Sequence, residues 1–159
     1  MIEIVRLHDT PLKINLESFN NASFEDINFH RCVLDNFDFS NSRMVNIDFR
    51  SAKINNSLFE YSQIIKARLI MVESMNSNFK KACFRQSLIL HSDFSNSSFE
   101  FSDLSESIIK NVIFKGCDLR GANLSCSGLD SCVFEGAIFD DSTIWSGDFD
   151  ATDYGAIKA

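Results

Sequence analysis

Residues 92–119 read SDFSNSSFEFSDLSESIIKNVIFKGCDL, in which Phe94, Phe99, Leu104, Ile109, Phe114 and Leu119 stand five apart. The same beat extends outward in both directions. From Ile14 to Tyr154, 28 of 29 fifth positions are apolar, Ser74 being the exception, and fourteen of the sixteen phenylalanines fall on it. Two residues before the beat lies a second regular position, which is Ala, Ser, Cys, Gly or Thr at 22 of 29 places. A helix spaces its apolar residues by three and four and a strand alternates by two, so a sustained five fits neither. A chain that turns a corner every five residues instead lays down one very short strand per side. Four sides close a square, and the chain climbs one rung every 20 residues, a solenoid whose rungs bury one another's interiors.

The 20-residue period is testable within the sequence. Every fourth beat gives Phe19, Phe39, Phe59, Phe79, Phe99, Leu119 and Phe139, a stacked apolar ladder on one side. A corner position gives Asn36, Asn56, Asn76 and Asn96, then Gly116 and Gly136. Asn and Gly both tolerate the positive φ of a tight turn, and asparagine amides can hydrogen-bond from rung to rung. Where a large side chain fills the beat, close packing leaves room for a small neighbour beside it, which accounts for the second position. At Ser74 the sizes swap, with Val72 at the small site, and the five-residue spacing resumes at Phe79 without insertion.

The runs CDLRGANLS (Cys117 to Ser125), HSDFSNSSFEFSDLSES (His91 to Ser107) and EGAIFDDS (Glu135 to Ser142) resemble the pentapeptide-repeat family, with its motif A(D/N)Lxx. The resemblance covers about residues 12 to 156. It implies an all-β fold, a right-handed quadrilateral β-helix of about seven coils, some 34 Å long at strand spacing. The expected organisation is a capping strand over residues 1–11, with Ile2, Ile4 and Leu7 laid over the first coil, a β-helix over 12–156, and a tail over 157–159.

Composition excludes several roles. The formal charge of −7 is wrong for a nucleic-acid surface, which needs basic stripes to displace counterions. Met1 to Leu7 is too short and too charged for a signal peptide, no run is long enough for a membrane span, and a cytoplasmic protein is expected. Five cysteines without a CxxC pair suggest neither a disulfide framework nor a zinc site. Cys32, Cys117 and Cys132 fall at the small inward position, while Cys83 and Cys126 are expected outward. His30 and His91 share a side but stand three rungs apart, roughly 14 Å, too far for one proton-transfer site. No catalytic residue, metal ligand or cofactor is assigned.

Two surface features rise above this background. Residues 1 to 115 carry 13 basic and 14 acidic side chains, whereas residues 116 to 159 carry 2 and 8. The acidic set is Asp118, Asp130, Glu135, Asp140, Asp141, Asp148, Asp150 and Asp153, a tip that either faces a basic partner or simply discourages end-to-end stacking. Off the beat, Ile70, Leu88, Leu90 and Ile108 are expected to point outward on consecutive rungs, with Met71 at the adjoining corner. Such a cluster reads as an interface with a second copy or another protein, or as plain β-propensity. Tyr61 and Ile65 extend it, and Trp145 is expected outward near the acidic end.

The expected function is that of a non-enzymatic scaffold acting through protein–protein contacts. The resemblance to the quinolone-resistance Qnr type implies a DNA mimic that binds DNA gyrase or topoisomerase IV. The alternatives are a generic interaction scaffold and a secreted effector. The unbroken spacing leaves no room for the projecting loops of some Qnr-type chains, and Gly155 to Ala159 leaves none for their C-terminal helix.

Overall fold

Phe19, Phe39, Phe59, Phe79 and Phe99 stack directly over one another, their ring centroids 4.8 to 4.9 Å apart. That spacing is the distance between neighbouring strands, so residues 20 apart in the chain are neighbours in space. The computed structural model describes all residues, 1–159, and is a β-helix of about seven turns. The backbone register repeats the rule: Ser23–Glu25, Arg43–Val45 and Gln63–Ile65 pair in parallel, as do Arg68–Ile70, Leu88–Leu90 and Ile108–Lys110. Regular strands account for only 15 of 98 backbone hydrogen bonds. The rest of the coil is held by turns and by single bridges such as Lys53 to Glu73 and Asp93 to Ile113.

Two inward side chains per side build the core. All 39 buried apolar residues form one continuous cluster, with Phe39, Phe49, Phe59, Phe79, Phe84, Phe94, Phe99 and Phe114 fully enclosed. Each buried phenylalanine stabilises by about 1.5–3 kcal/mol, and edge-to-face contacts across the core, such as Phe94 on Phe99 at 5.3 Å, add to this. The corners are uniform in φ. From Asn21 to Gly121 the second residue after every beat has φ between 51° and 68°; at corners such as Phe19–Ala22 the carbonyl of the beat residue also accepts from the amide three residues on (3.2 Å), whereas at others, such as Ile64–Ala67, a serine hydroxyl from the next rung bridges the two groups. The hydrogen-bonded corners are type II turns. Asn36, Asn56, Asn76, Asn96, Gly116 and Gly136 all have the positive φ of these corners. The four asparagines contribute backbone conformation alone, since their amides do not bond to one another. The amide ladder runs one residue earlier: Asn55 Nδ2 donates to Asp35 (3.0 Å), and the Met75 amide donates to Asn55 Oδ1 (2.9 Å).

Buried serines at the small position stitch the rungs together. The hydroxyl of Ser87 accepts from the Ala67 amide (3.0 Å) and donates to the Ile64 carbonyl (3.0 Å), thereby closing a turn one rung away. Ser92 does the same between Val72 and Leu69 (3.0 and 3.0 Å). These bonds remove the penalty that a buried hydroxyl otherwise carries. Ser102 at this position and Ser74 on the beat are the exceptions, with buried hydroxyls that find no partner.

Both ends differ from the body. Ile2–Ile4 runs antiparallel to Leu12–Ile14, with Ile4 sealed into the core at 1% exposure. The following residues then bond to the first coil through Leu7 N–H to Arg31 O and Val33 N–H to Val5 O, both 2.8 Å. Unpaired edge groups are covered in this way. At the far end Ile157–Lys158 adds a parallel strand to Ile138–Phe139.

The five-residue spacing is broken twice near that end, contrary to the unbroken reading. Ile108 pairs with Ser127, 19 residues on, while Ile113 pairs with Val133, 20 on. One residue is lost at the corner after Leu124 and regained in the 3-10 turn Leu129–Ser131. Cys126 therefore takes the inward position below Ser107 and is buried at 6%, not outward. Further on, Ile144–Trp145 pairs with Asn123–Leu124, 21 residues away. An extra residue in the 140–143 corner turns Ile144 outward, at 53% exposure. It turns Trp145 inward, edge-on to Phe134 (5.6 Å) and Phe139 (5.5 Å).

Candidate protein-binding surfaces

No three His, Cys, Asp or Glu side chains come together in a metal-binding arrangement. His30 and His91 stand three rungs apart, and the thiols of Cys117 and Cys126 are pushed up to about 12 by burial. What the coil offers is its outer faces, on which side chains recur at strand spacing.

Charges along those faces are largely compensated. Up the side that carries Phe19, the column Glu60, Lys80, Glu100, Arg120, Asp140 alternates in sign, with Lys80 and Arg120 3.0 and 3.5 Å from Glu100. Lys53 meets Glu73 at 2.9 Å in the same rung-to-rung manner. In-register stacking puts like charges directly against one another unless they alternate.

The eight carboxylates of the acidic tip divide into two groups. Asp118 is paired with Arg120 (2.5 Å), Glu135 with Lys115 (3.4 Å) and Asp141 with Lys158 (2.5 Å). Asp140 accepts from Ser142 and from the Gly121 amide, which shapes the inserted corner. Asp150 caps the 3-10 turn Ala151–Tyr154 by accepting from the Thr152 amide (2.9 Å). Hydrogen bonds from Arg120, Ser142 and Thr152 hold the carboxyls of Asp118, Asp140 and Asp150 below the usual carboxylate range. Asp130, Asp148 and Asp153 have neither an ion pair nor a side-chain hydrogen bond. Residues 126–130, with Ser146 and Phe149, line a shallow groove beside Asp130. Phe149 stacks on Tyr154 (4.8 Å), a residue 36% exposed. The tip is thus an aromatic end with three free carboxylates. Trp145, inward and part-buried, supports it from behind.

The second cluster assembles on the side that carries Phe29. Register places Leu88 between Arg68 and Ile108, and Leu90 between Ile70 and Lys110. Met71, at the next corner, and Ile108 are 58% and 47% exposed. Tyr61 lies at a different corner, where Lys81 Nζ sits 5.1 Å from its ring centroid, and Ile65 lies on the adjacent side.

A square solenoid of five-residue sides, built from buried phenylalanines and left-handed corners, defines a class of repeat protein. The pentapeptide-repeat family model matches residues 18–56 and 90–125, so those segments carry pentapeptide repeats. Solved structures it resembles include a pentapeptide repeat protein of the Arabidopsis thaliana thylakoid lumen, at 18% identity and TM-score 0.49 over 67% of each chain. Another is Rfr23 of the cyanobacterium Cyanothece 51142, at 15% identity and TM-score 0.46 over 79% of this chain and 89% of that one. A third is full-length QnrB1, a plasmid-mediated fluoroquinolone resistance protein, at 14% identity and TM-score 0.47 over 89% and 86%. No curated protein sequence matches.

Proposed function

We propose that the protein is a non-enzymatic binding rod whose C-terminal end takes a basic surface of a partner protein. One observation carries this reading: beyond residue 115 there are eight acidic and two basic side chains, and the free carboxylates of Asp130, Asp148 and Asp153 lie around a partly exposed aromatic end. Free carboxylates steer a basic partner, and aromatic residues anchor it once desolvated. The rest of the coil is a rigid spacer, since each rung contacts only its neighbours.

Affinity capture from the host tests the proposal. Partners held by the wild-type rod and released by about 0.5 M salt should be absent with Asp130→Lys/Asp148→Lys/Asp153→Lys. Capture that is indifferent to this triple change would overturn it. The resemblance to Qnr-type chains extends the reading to DNA gyrase or topoisomerase IV. Supercoiling by gyrase with and without a quinolone tests that extension, which fails if micromolar protein has no effect.

A further inference from the structure

We infer that the outer face formed by Arg68–Ile70, Leu88–Leu90 and Ile108–Lys110 is a second docking surface, for a protein segment that is apolar at its centre and acidic at its borders. The register of the three strands writes the pattern directly: Arg68 beside Ile70, Leu88 beside Leu90, Ile108 beside Lys110. Four outward aliphatic side chains form a diagonal apolar field with one cation at each of two opposite corners.

Elsewhere on the same two columns the residues are polar. Asn28 and His30 occupy the first rung, Asp48 and Arg50 the second, the last two in contact at 2.6 Å. β-propensity does not account for Leu88 and Leu90, because leucine is not β-branched. A contiguous apolar field on an otherwise polar side is the mark of an interaction site.

Charge selects the occupant. Arg68 and Lys110 have no ion pair and no side-chain hydrogen bond, whereas Lys53, Lys80, Arg85 and Lys115 each meet a carboxylate on the next rung. Lys66, at the corner preceding Arg68, is likewise unpaired and exposed. A second copy does not satisfy these groups. Laid face to face with the rods antiparallel, two copies press Arg68 onto Ile108 and Lys110 onto Ile70. With the rods parallel, Arg68 meets Ile70 and Lys110 meets Ile108. Either arrangement buries an uncompensated cation against an aliphatic side chain. Carboxylates flanking an apolar stripe answer both corners at once.

The test uses the full chain and two synthetic 14-residue amphipathic helices, each with leucine on one face and either glutamate or lysine on the other. NMR titration and calorimetry should show the glutamate peptide perturbing residues 68–71, 88–91 and 108–110. Its affinity should fall at least tenfold in Leu88→Ser/Leu90→Ser and in Arg68→Glu/Lys110→Glu, both of which should retain the wild-type circular dichroism spectrum. The lysine peptide should bind the charge-reversed variant better than the wild type. Equal binding of both peptides, no binding at millimolar peptide, a wild-type dimer in sedimentation that Leu88→Ser/Leu90→Ser abolishes, or preferential binding to vesicles of anionic lipid would each overturn the assignment. None of these measurements involves the acidic end, so the two proposals stand or fall separately.

Discussion

The hydroxyl of Ser77 closes a turn that belongs to Ser57, one rung away: it accepts from the Ser57 amide at 3.2 Å and donates to the Ile54 carbonyl at 2.7 Å. Ser77→Ala leaves both backbone groups buried and unpaired, which costs about 2 kcal/mol. Ser102→Ala provides the contrast, because that hydroxyl is buried without a partner. Its removal should be neutral or stabilising by up to about 1 kcal/mol. Urea unfolding of the two variants should move the midpoint in different directions, or only for Ser77.

The inserted corner at 140–143 makes Trp145, not Ile144, the inward residue. Trp145→Ala should destabilise by about 3 kcal/mol, as expected for loss of a packed aromatic. Ile144→Ala, 53% exposed, should change stability by less than about 0.5 kcal/mol. Trp145 is the single tryptophan, so its fluorescence reports on this end alone and should red-shift when the last coil opens.

Glycine is required at Gly128 for two reasons: φ is +89°, and an added Cβ would lie 2.2 Å from the Ile109 carbonyl oxygen. Gly128→Ala should destabilise by more than about 2 kcal/mol, combining a left-handed backbone penalty with overpacking. Gly136 has φ +68° and open space around it. Its alanine variant should show the conformational penalty alone, about 1 kcal/mol. Thermal unfolding of the two proteins separates the contributions.

Burial of Cys117 and Cys126 should make both thiols inert in the folded protein, with their pKa pushed up to about 12. Ellman's reagent at pH 8 should label the half-buried Cys83 first, and the other four only after unfolding. Rapid labelling of Cys126 would mean that residues 124–131 do not hold the shortened corner.

Asp118, Asp140 and Asp150 carry depressed carboxyl pKa values through hydrogen bonds from Arg120, Ser142 and Thr152. A depressed group contributes stability that is present above the unfolded pKa of about 3.9 and is lost as pH falls through the folded value. The urea midpoint should therefore be flat from pH 8 to about 5 and fall below about 4. Asp140→Asn should reduce the size of that fall.

The body of the coil was legible because one constraint repeats. Every beat buries a side chain against the residue 20 positions away, so Phe39 between Phe19 and Phe59 follows from spacing alone. The last two coils were not legible, for a specific reason. At 125–131 a deletion and an insertion cancel, so the apolar spacing passes through unchanged while Cys126 moves inside. At 140–145 two large apolar residues, Ile144 and Trp145, are adjacent, and spacing favours the wrong one. The aliphatic cluster could be placed from register, since Leu88 and Ile108 are 20 apart. The division of the acidic tip could not. Whether a carboxylate is free or occupied depends on partners such as Arg120, Lys158 and Thr152, whose reach no period encodes.

The alternating column Glu60, Lys80, Glu100, Arg120, Asp140 restricts how such a rod can change length. Removing a single storey that contains Lys80 sets Glu60 directly on Glu100, and removing the one with Glu100 sets Lys80 on Arg120, so each leaves two like charges at strand distance. Excising two consecutive storeys restores opposite signs along the whole column. Duplication obeys the same parity. Along this edge, then, the molecule tolerates growth or shrinkage in steps of forty residues rather than twenty.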